Sequence, residues 1–302
     1  MTPRVLITGG TGLLGQALLH SAPNGWEVAA TFHRQSPPTE WRHCFRALDV
    51  SDEAAVLAAV SQFRPTVVIH SASIGSVDLA ERDPDSVRRV NVGGLQAVAR
   101  ACERAGARMA LISSNAVFDG SHPPYAEDAA RRAVNAYGAI KIEAEEWLEQ
   151  SGLPYLIFRP IMMYGWPLPG GRSNAVTRWL AEMEAGRSID VASDIFSMPL
   201  FVSNGAAAIW EGLKGERRGL YHLAGADRVA LVDFAREAAR VFGCPDSLVV
   251  PVPSSSFAGL APRPLDTSFV TTRMAQELGV RPIGIREGLL AMQRTRQRVA
   301  SR

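Results

Sequence analysis

The sequence predicts an α/β fold: a doubly wound, mainly parallel sheet with helices on both faces, followed by a smaller C-terminal lobe. Three observations predict it. Short apolar runs alternate with longer stretches of helical period through the first half of the chain, as parallel strands joined by helical crossovers require. A glycine-rich turn separates the first apolar run from the first helical stretch. After Pro160 the character changes, with glycine and proline clustered in MMYGWPLPGG and shorter elements beyond it.

The elements follow in order. Val5-Leu6-Ile7 reads as the first strand, Leu13 to His20 as the first helix, Val28 to Phe32 as the second strand and Phe45 to Leu48 as the third. Glu53 to Gln62 reads as a helix with Ser51 as its nearer cap and Asp49 as the alternative. Val67 to His70 is an unbroken run of the kind found in strands buried on both faces. Pro84 to Ala105 reads as a long amphipathic helix closed by Gly106. Met109 to Ser113 is the fifth strand, Ala136 to Glu149 a further helix and Tyr155 to Arg159 the sixth strand. Beyond Pro160, helices are expected at about Asn174 to Glu184, Asn204 to Leu213 and Leu231 to Phe242. Pro251 to Asp266 is the least regular stretch and reads as a mobile linker or a lobe loop, and the arginine-rich end, QRTRQRVASR, as a frayed, solvated tail.

Composition narrows the function. The chain has 302 residues, 47% apolar and 21% charged, enough for a sizeable core. Its formal charge of +2 leaves no excess to drive nucleic-acid or anionic-membrane binding. Cys44, Cys102 and Cys244 are far apart and odd in number, so they read as small buried hydrophobes of a reducing compartment. The histidines lack metal-site spacing, and no metal is expected. The start lacks the pattern of a signal peptide and no apolar run approaches bilayer length, so a cytoplasmic address is expected.

The stretch TGGTGLLGQ, Thr8 to Gln16, follows the first strand and opens a helix, the context that a dinucleotide-binding turn requires. Glycines there allow a tight turn, close approach of backbone to pyrophosphate and close packing of helix on strand, while unpaired amides at the helix start face the phosphates. Gly9, Thr11, Gly12, Leu13, Leu14 and Gly15 are therefore candidate cofactor contacts. This makes residues 1–160 a Rossmann-type dinucleotide-binding domain. Residues 161–302 form mainly a substrate-binding lobe, with some segments returning to the sheet. The second strand ends in Thr31-Phe32-His33-Arg34, with no carboxylate for an adenosine ribose and two candidate cations, His33 and Arg34. NADP(H) is favoured, with NAD(H) an open alternative. Asp49 and Val50 after the third strand, and Ser71-Ala72-Ser73 after the fourth, fall where the cofactor's adenine and middle would pass.

Tyr137 and Lys141, in YGAIK, share one helix face. A phenol is a poor acid or base at neutral pH unless a fixed cation favours its anion, so burial decides whether such a pair is reactive. The fifth strand ends in Ile112-Ser113-Ser114-Asn115, on the edge where ligands gather in parallel sheets, and a hydroxyl there could hold a carbonyl oxygen.

Together with the glycine turn, these residues resemble the Ser-Tyr-Lys constellation of extended short-chain dehydrogenase/reductases. The nearer resemblance is to dTDP-4-dehydrorhamnose reductases and their relatives. It is carried by residues 70–94, by ISSNAVFDGSHPPYAED (112–128), by YGAIK (137–141), by FRPIMMYG (158–165) and by APRPLDTS (261–268). The resemblance implies reduction of the C4 ketone of a nucleotide-linked 6-deoxysugar. Ser114 would hold the carbonyl, Tyr137 would donate the proton, and Lys141 would bind the nicotinamide ribose and favour the phenolate. Asn91 would buttress the cofactor site, Pro160 and Ile161 would lie near the nicotinamide, and Asn115, Trp166 and Arg263 would face the substrate.

The chain departs from the family pattern at Ser114-Asn115-Ala116, where Ser/Thr-Asp-Tyr is common, and this argues against a 4,6-dehydratase. The same subfamily includes the regulatory subunit of methionine adenosyltransferase, which resembles the chain in its ISS-x-x-VFDG and PPY segments. An NADP-binding regulatory role and a nucleotide-sugar epimerase are therefore the alternatives. The helices at 84–105 and 136–149 could build a homodimer interface.

Overall fold

The computed structural model describes residues 2–300 apart from Glu216, the side chains of 297–300 excepted. Its strands are β1 (Arg4–Thr8), β2 (Glu27–Phe32), β3 (Phe45–Ala47), β4 (Val67–His70), β5 (Arg108–Ile112), β6 (Tyr155–Pro160), β7 (Met163–Tyr164), β8 (Ile189–Ala192), β9 (Phe196–Ser197), β10 (Leu200–Phe201), β11 (Gly219–Leu223), β12 (Val229–Ala230) and β13 (Val249–Val252). A seven-stranded sheet runs in the order β11-β6-β5-β4-β1-β2-β3, and every pairing in it is parallel. The chain starts in the interior at β1, builds outward through β2 and β3, then crosses back to β4. The reversal places a crevice beyond the carboxyl ends of β1 and β4.

The helices are α1 (Leu13–His20), α2 (Glu53–Phe63), α3 (Val77–Arg82), α4 (Pro84–Arg88), α5 (Gly94–Ala105), α6 (Ala136–Gln150), α7 (Ala175–Glu184), α8 (Val202–Leu213), α9 (Leu231–Phe242), α10 (Thr272–Gln276) and α11 (Ile285–Ala300). Successive strand residues point to opposite faces, and both faces are covered. Val5 and Ile7 pack with Leu14 and Leu18 of α1 and Ile209 and Trp210 of α8. Leu6 packs on the other side with Val56 of α2, Leu95 and Val98 of α5, and Ile140 and Leu148 of α6. A third core, built from α7, α9, α11 and the β8-β13 pair, holds the lobe.

Several expectations change. The long helix at 84–105 is broken into α4 and α5 by a π turn at Arg89–Gly93, while Gly106 closes it in the left-handed conformation as expected. The cap of α2 is neither Ser51 nor Asp49 but Asp52, whose carboxylate accepts from the Ala55 amide at 3.0 Å. Cys102 is fully buried, but Cys44 and Cys244 are only partly so. The arginine-rich end is not frayed through Arg296: it continues α11, where Gln293 bonds the Val241 carbonyl and Arg296 pairs with Glu184. Ser301 and Arg302 lie outside the described residues.

Of the two readings of 251–266, the lobe loop is the one the structure adopts. Its start is β13, Ala261 N donates to Asp78 at 3.0 Å, and the Pro262 carbonyl accepts from Asn135 at 2.8 Å. Further on, the Leu265 carbonyl accepts from the Phe196 amide at 2.7 Å. Among the described residues, no helix is long and apolar enough to cross a membrane.

Candidate active site

The glycine turn is built by close approach. Gly9 holds φ +72°, a left-handed conformation, and a Cβ on it would lie 2.8 Å from the backbone of Ala72, so only glycine lets β1 turn against the β4 loop. A Cβ on Gly15 would run into the Gly9 carbonyl, which is why α1 can lie so near its own turn. Gly12 caps α1 without a side chain, so no side chain satisfies the first-turn amides. A side chain at Gly12 would meet only the Gly9 carbonyl, at 3.2 Å. The result is a cradle of backbone N–H groups at the positive end of a helix, which suits a diphosphate.

The sheet order sets the other candidate contacts in a row. His33 and Arg34 follow β2, Asp49 and Val50 follow β3, Ser71 to Ser73 follow β4, Pro160 ends β6 and Ile161 follows it. Arg34 is exposed, and among the described residues none accepts a hydrogen bond from it. Asp49 accepts from the Ser51 amide at 2.9 Å and the Ser51 hydroxyl at 2.7 Å, and pairs with His33 at 3.5 Å. The Ser51 bonds, then the charges of His33 and Arg34, hold its carboxyl below the usual range. Thr8, buried at the end of β1, contacts His70 Nδ1 at 2.9 Å and accepts from Ala72 N at 3.2 Å, which ties the glycine turn to the β4 loop.

Tyr137 and Lys141 meet the burial condition, at 9% and 3% exposed. The Lys141 ammonium donates to the Ile112 carbonyl at 3.1 Å and lies 5.8 Å from the Tyr137 ring centre. No carboxylate pairs with it among the described residues, so its charge is available to the phenol and to a ligand. Gly138, between the two, has a packing reason: a Cβ there would strike the Ala116 carbonyl, so glycine lets α6 press its first turn against the turn that carries Ser114. The His70 imidazole is held neutral, its pKa pushed down to about 3 by burial and then by the Lys141 charge.

The structure also separates the two serines after β5. Ser113 is buried and donates to Glu145, which Arg159 pairs at 2.6 Å and Arg131 at 3.0 Å. Burial opposes the Glu145 charge, but Arg159, Ser113 and Arg131 outweigh it and hold the carboxyl below its usual range. His222 completes the group at 3.2 Å from Arg159. Ser114 is only half-buried, and its hydroxyl accepts from the Ala116 amide at 3.1 Å and donates to Asn115 Oδ1 at 3.4 Å. The Glu145-Arg159-His222 group was not singled out from sequence. The signal that could have found it is a glutamate on the α6 face with an arginine inside an otherwise apolar strand.

Some expected contacts are engaged elsewhere. Both ends of the Asn91 amide bond the backbone of Ile74, at 2.8 and 3.1 Å, so Asn91 braces the β4 loop. Trp166 directs its indole N–H to the Met292 carbonyl at 2.8 Å and packs edge-on against Phe242, beside the lobe core. Arg263 is clamped to Asp78 at 2.9 Å, which neutralises it. Asn115 donates to Thr267 at 2.6 Å, joining the β5 turn to the lobe.

The family model described as RmlD substrate binding domain matches residues 3–297. Methionine adenosyltransferase 2 subunit beta of Xenopus laevis is 29% identical over 298 residues, covering 95% of this chain and 87% of that protein. A dTDP-4-keto-6-deoxy-D-glucose reductase of Streptomyces niveus is 30% identical over 271 residues, covering 87% of each. The crystal structure of a dTDP-4-dehydrorhamnose reductase from Bacillus anthracis str. Ames, in complex with NADP, is similar with a TM-score of 0.86 at 26% identity, covering 98% of this chain and 100% of that one.

Proposed function

The chain belongs to the RmlD substrate binding domain family, and from that premise we propose that it is an NADP(H)-dependent reductase of a ketone, the C4 keto group of a nucleotide-linked 6-deoxysugar. The observation that carries this reading is the buried Tyr137-Lys141 pair on the helix turn that Gly138 lets pack against the Ser114 turn. The glycine cradle fits a dinucleotide, since side chains at Gly9 and Gly15 would fill it and α1 lacks a side-chain cap. Arg34 is exposed and gives no hydrogen bond to any group among the described residues, so its donors suit a 2′-phosphate.

When bound, the cofactor supplies the hydride that the ketone carbon accepts. The residues of this chain handle position and the proton. The Ser114 hydroxyl holds the carbonyl oxygen, and Tyr137 donates its phenolic proton to that oxygen as charge develops there. Lys141 compensates the phenolate left behind, and the ammonium hydrogens not given to Ile112 are available to ribose hydroxyls. Burial of both side chains strengthens this compensation, because the local dielectric is low.

The test is oxidation of NADPH in the presence of nucleotide-linked 4-keto-6-deoxysugars, with Tyr137→Phe as the control. Turnover that the variant lacks supports reduction. A second reading, an NADP-binding regulatory subunit without turnover, is favoured by the similarity to methionine adenosyltransferase 2 subunit beta and by Asn115 being drawn to Thr267. Tight NADPH binding with no oxidation of any ketosugar would support that reading instead.

A further inference from the structure

The segment between β7 and α7 runs beside α1 and the loop after β2. Its base is closed by Asn174, which donates to the Gly165 carbonyl at 2.7 Å, and Gln16 of α1 donates to the Trp166 carbonyl at 2.7 Å. Farther along, Gln35 beyond β2 donates to the Pro169 carbonyl at 3.2 Å, and the chain reverses through Gly171 N to the Leu168 carbonyl at 2.8 Å. Arg172 then reaches the opposite side, where a Cβ on Gly75 beyond β4 would lie 3.1 Å from its Nη1. β1 stands between β2 and β4 in the sheet. A strap bonded to the loop after β2 and passing close to the loop after β4 therefore spans the turn after β1, where a dinucleotide's diphosphate would pass.

Arg172 is exposed, and no acidic or carbonyl group among the described residues takes its donors. The lobe arginines Arg228 and Arg263 are, by contrast, each paired with an aspartate. A guanidinium is a planar fork of donors matched to phosphate oxygens. The start of α1, which no side chain caps, belongs to the turn that the strap spans.

We propose that Arg172 is a cofactor-binding residue that donates to the dinucleotide diphosphate from the side opposite α1, with Gln35 holding the strap in place. The inference rests on the dinucleotide reading of the glycine turn. Because the diphosphate is common to both cofactors, Arg172 serves NADPH and NADH alike, whereas Arg34 serves only the 2′-phosphate.

The experiment is a titration of the whole chain with NADPH, NADH and adenosine 2′-monophosphate, with dissociation rates by stopped flow. Arg172→Ala is expected to weaken both dinucleotides by about 10-fold or more, mainly through faster dissociation, and to leave adenosine 2′-monophosphate unchanged. Gln35→Ala should speed release of both dinucleotides to a smaller degree. Thermal unfolding of the ligand-free variants should match that of the parent chain. Unchanged dinucleotide affinity in Arg172→Ala overturns the proposal. So does an equal loss for adenosine 2′-monophosphate, which would make Arg172 a source of general attraction only. Failure of the parent chain to bind either dinucleotide would remove the cofactor reading itself, and this is seen before any variant is compared.

Discussion

In the proposed reduction, burial is what distinguishes Tyr137 and Lys141 from a common helical pair. On an exposed helix the same residues would be solvated and nearly independent, but here the ammonium is fixed on a strand carbonyl beside the phenol. Tyr137→Phe is expected to lower kcat by about 100-fold or more with cofactor affinity nearly kept, the usual scale of general acid catalysis. Normal turnover in that variant would sink the assignment. The glycines offer a second residue-scale test. Gly12→Val should abolish dinucleotide binding while the fold survives, because its side chain would meet only the Gly9 carbonyl. Gly15→Val should unfold the chain, because its side chain runs into Gly9 and Gly10. Thermal melts and NADPH titration of the two variants separate these outcomes. Arg34→Ala should weaken NADPH by about 1.5–3 kcal/mol, the worth of a charge-assisted hydrogen bond, and leave NADH unchanged. Equal losses for both cofactors would remove the 2′-phosphate role.

At the level of elements, the question is what fixes β5, β6 and α6 relative to one another. Glu145 of α6 reaches Ser113 just after β5 and Arg159 of β6, all inside the protein, so one carboxylate sets the spacing of three elements beneath Ser114. Removing one partner of a buried ion pair leaves the other charge uncompensated. Arg159→Met is therefore expected to destabilise the fold by about 3–5 kcal/mol. Urea unfolding measures this, and a loss below about 1 kcal/mol would mean that the pair is not buried in solution.

For the whole molecule, His70 and His222 set an acid limit on stability. Burial, then the Lys141 charge for the first and the Arg159 charge for the second, pushes each pKa down to about 3. The unfolded chain protonates these side chains near pH 6.5, so between pH 6.5 and pH 3 it binds one more proton per histidine than the folded chain. Stability must therefore fall as pH drops through this window. At pH 5 the loss is about 2 kcal/mol for each histidine, before most carboxylates titrate. Urea midpoints between pH 5 and 7.5 report the slope. His222→Gln should flatten it by one proton whatever the substitution does to absolute stability, and an unchanged slope would count against a neutral buried His222.

What the sequence determined by itself is what depends on neighbours along the chain. The glycine turn after an apolar run, the i and i+4 placement of Tyr137 and Lys141, the Gly106 stop and the alternation of strand and helix all follow from backbone geometry over a few residues. What only the tertiary structure decided is which side chains were left free. Asn115 is bonded to Thr267, Arg263 to Asp78 and Trp166 to Met292, pairs separated by 152, 185 and 126 positions. None of these follows from local pattern, because a polar group buried by distant elements must take whatever partner they bring, and only the folded chain shows which elements meet. Arg172 is the converse: folding brings its guanidinium beside Gly75, beyond β4, although 97 positions separate the two, and leaves its donors without an acceptor among the described residues.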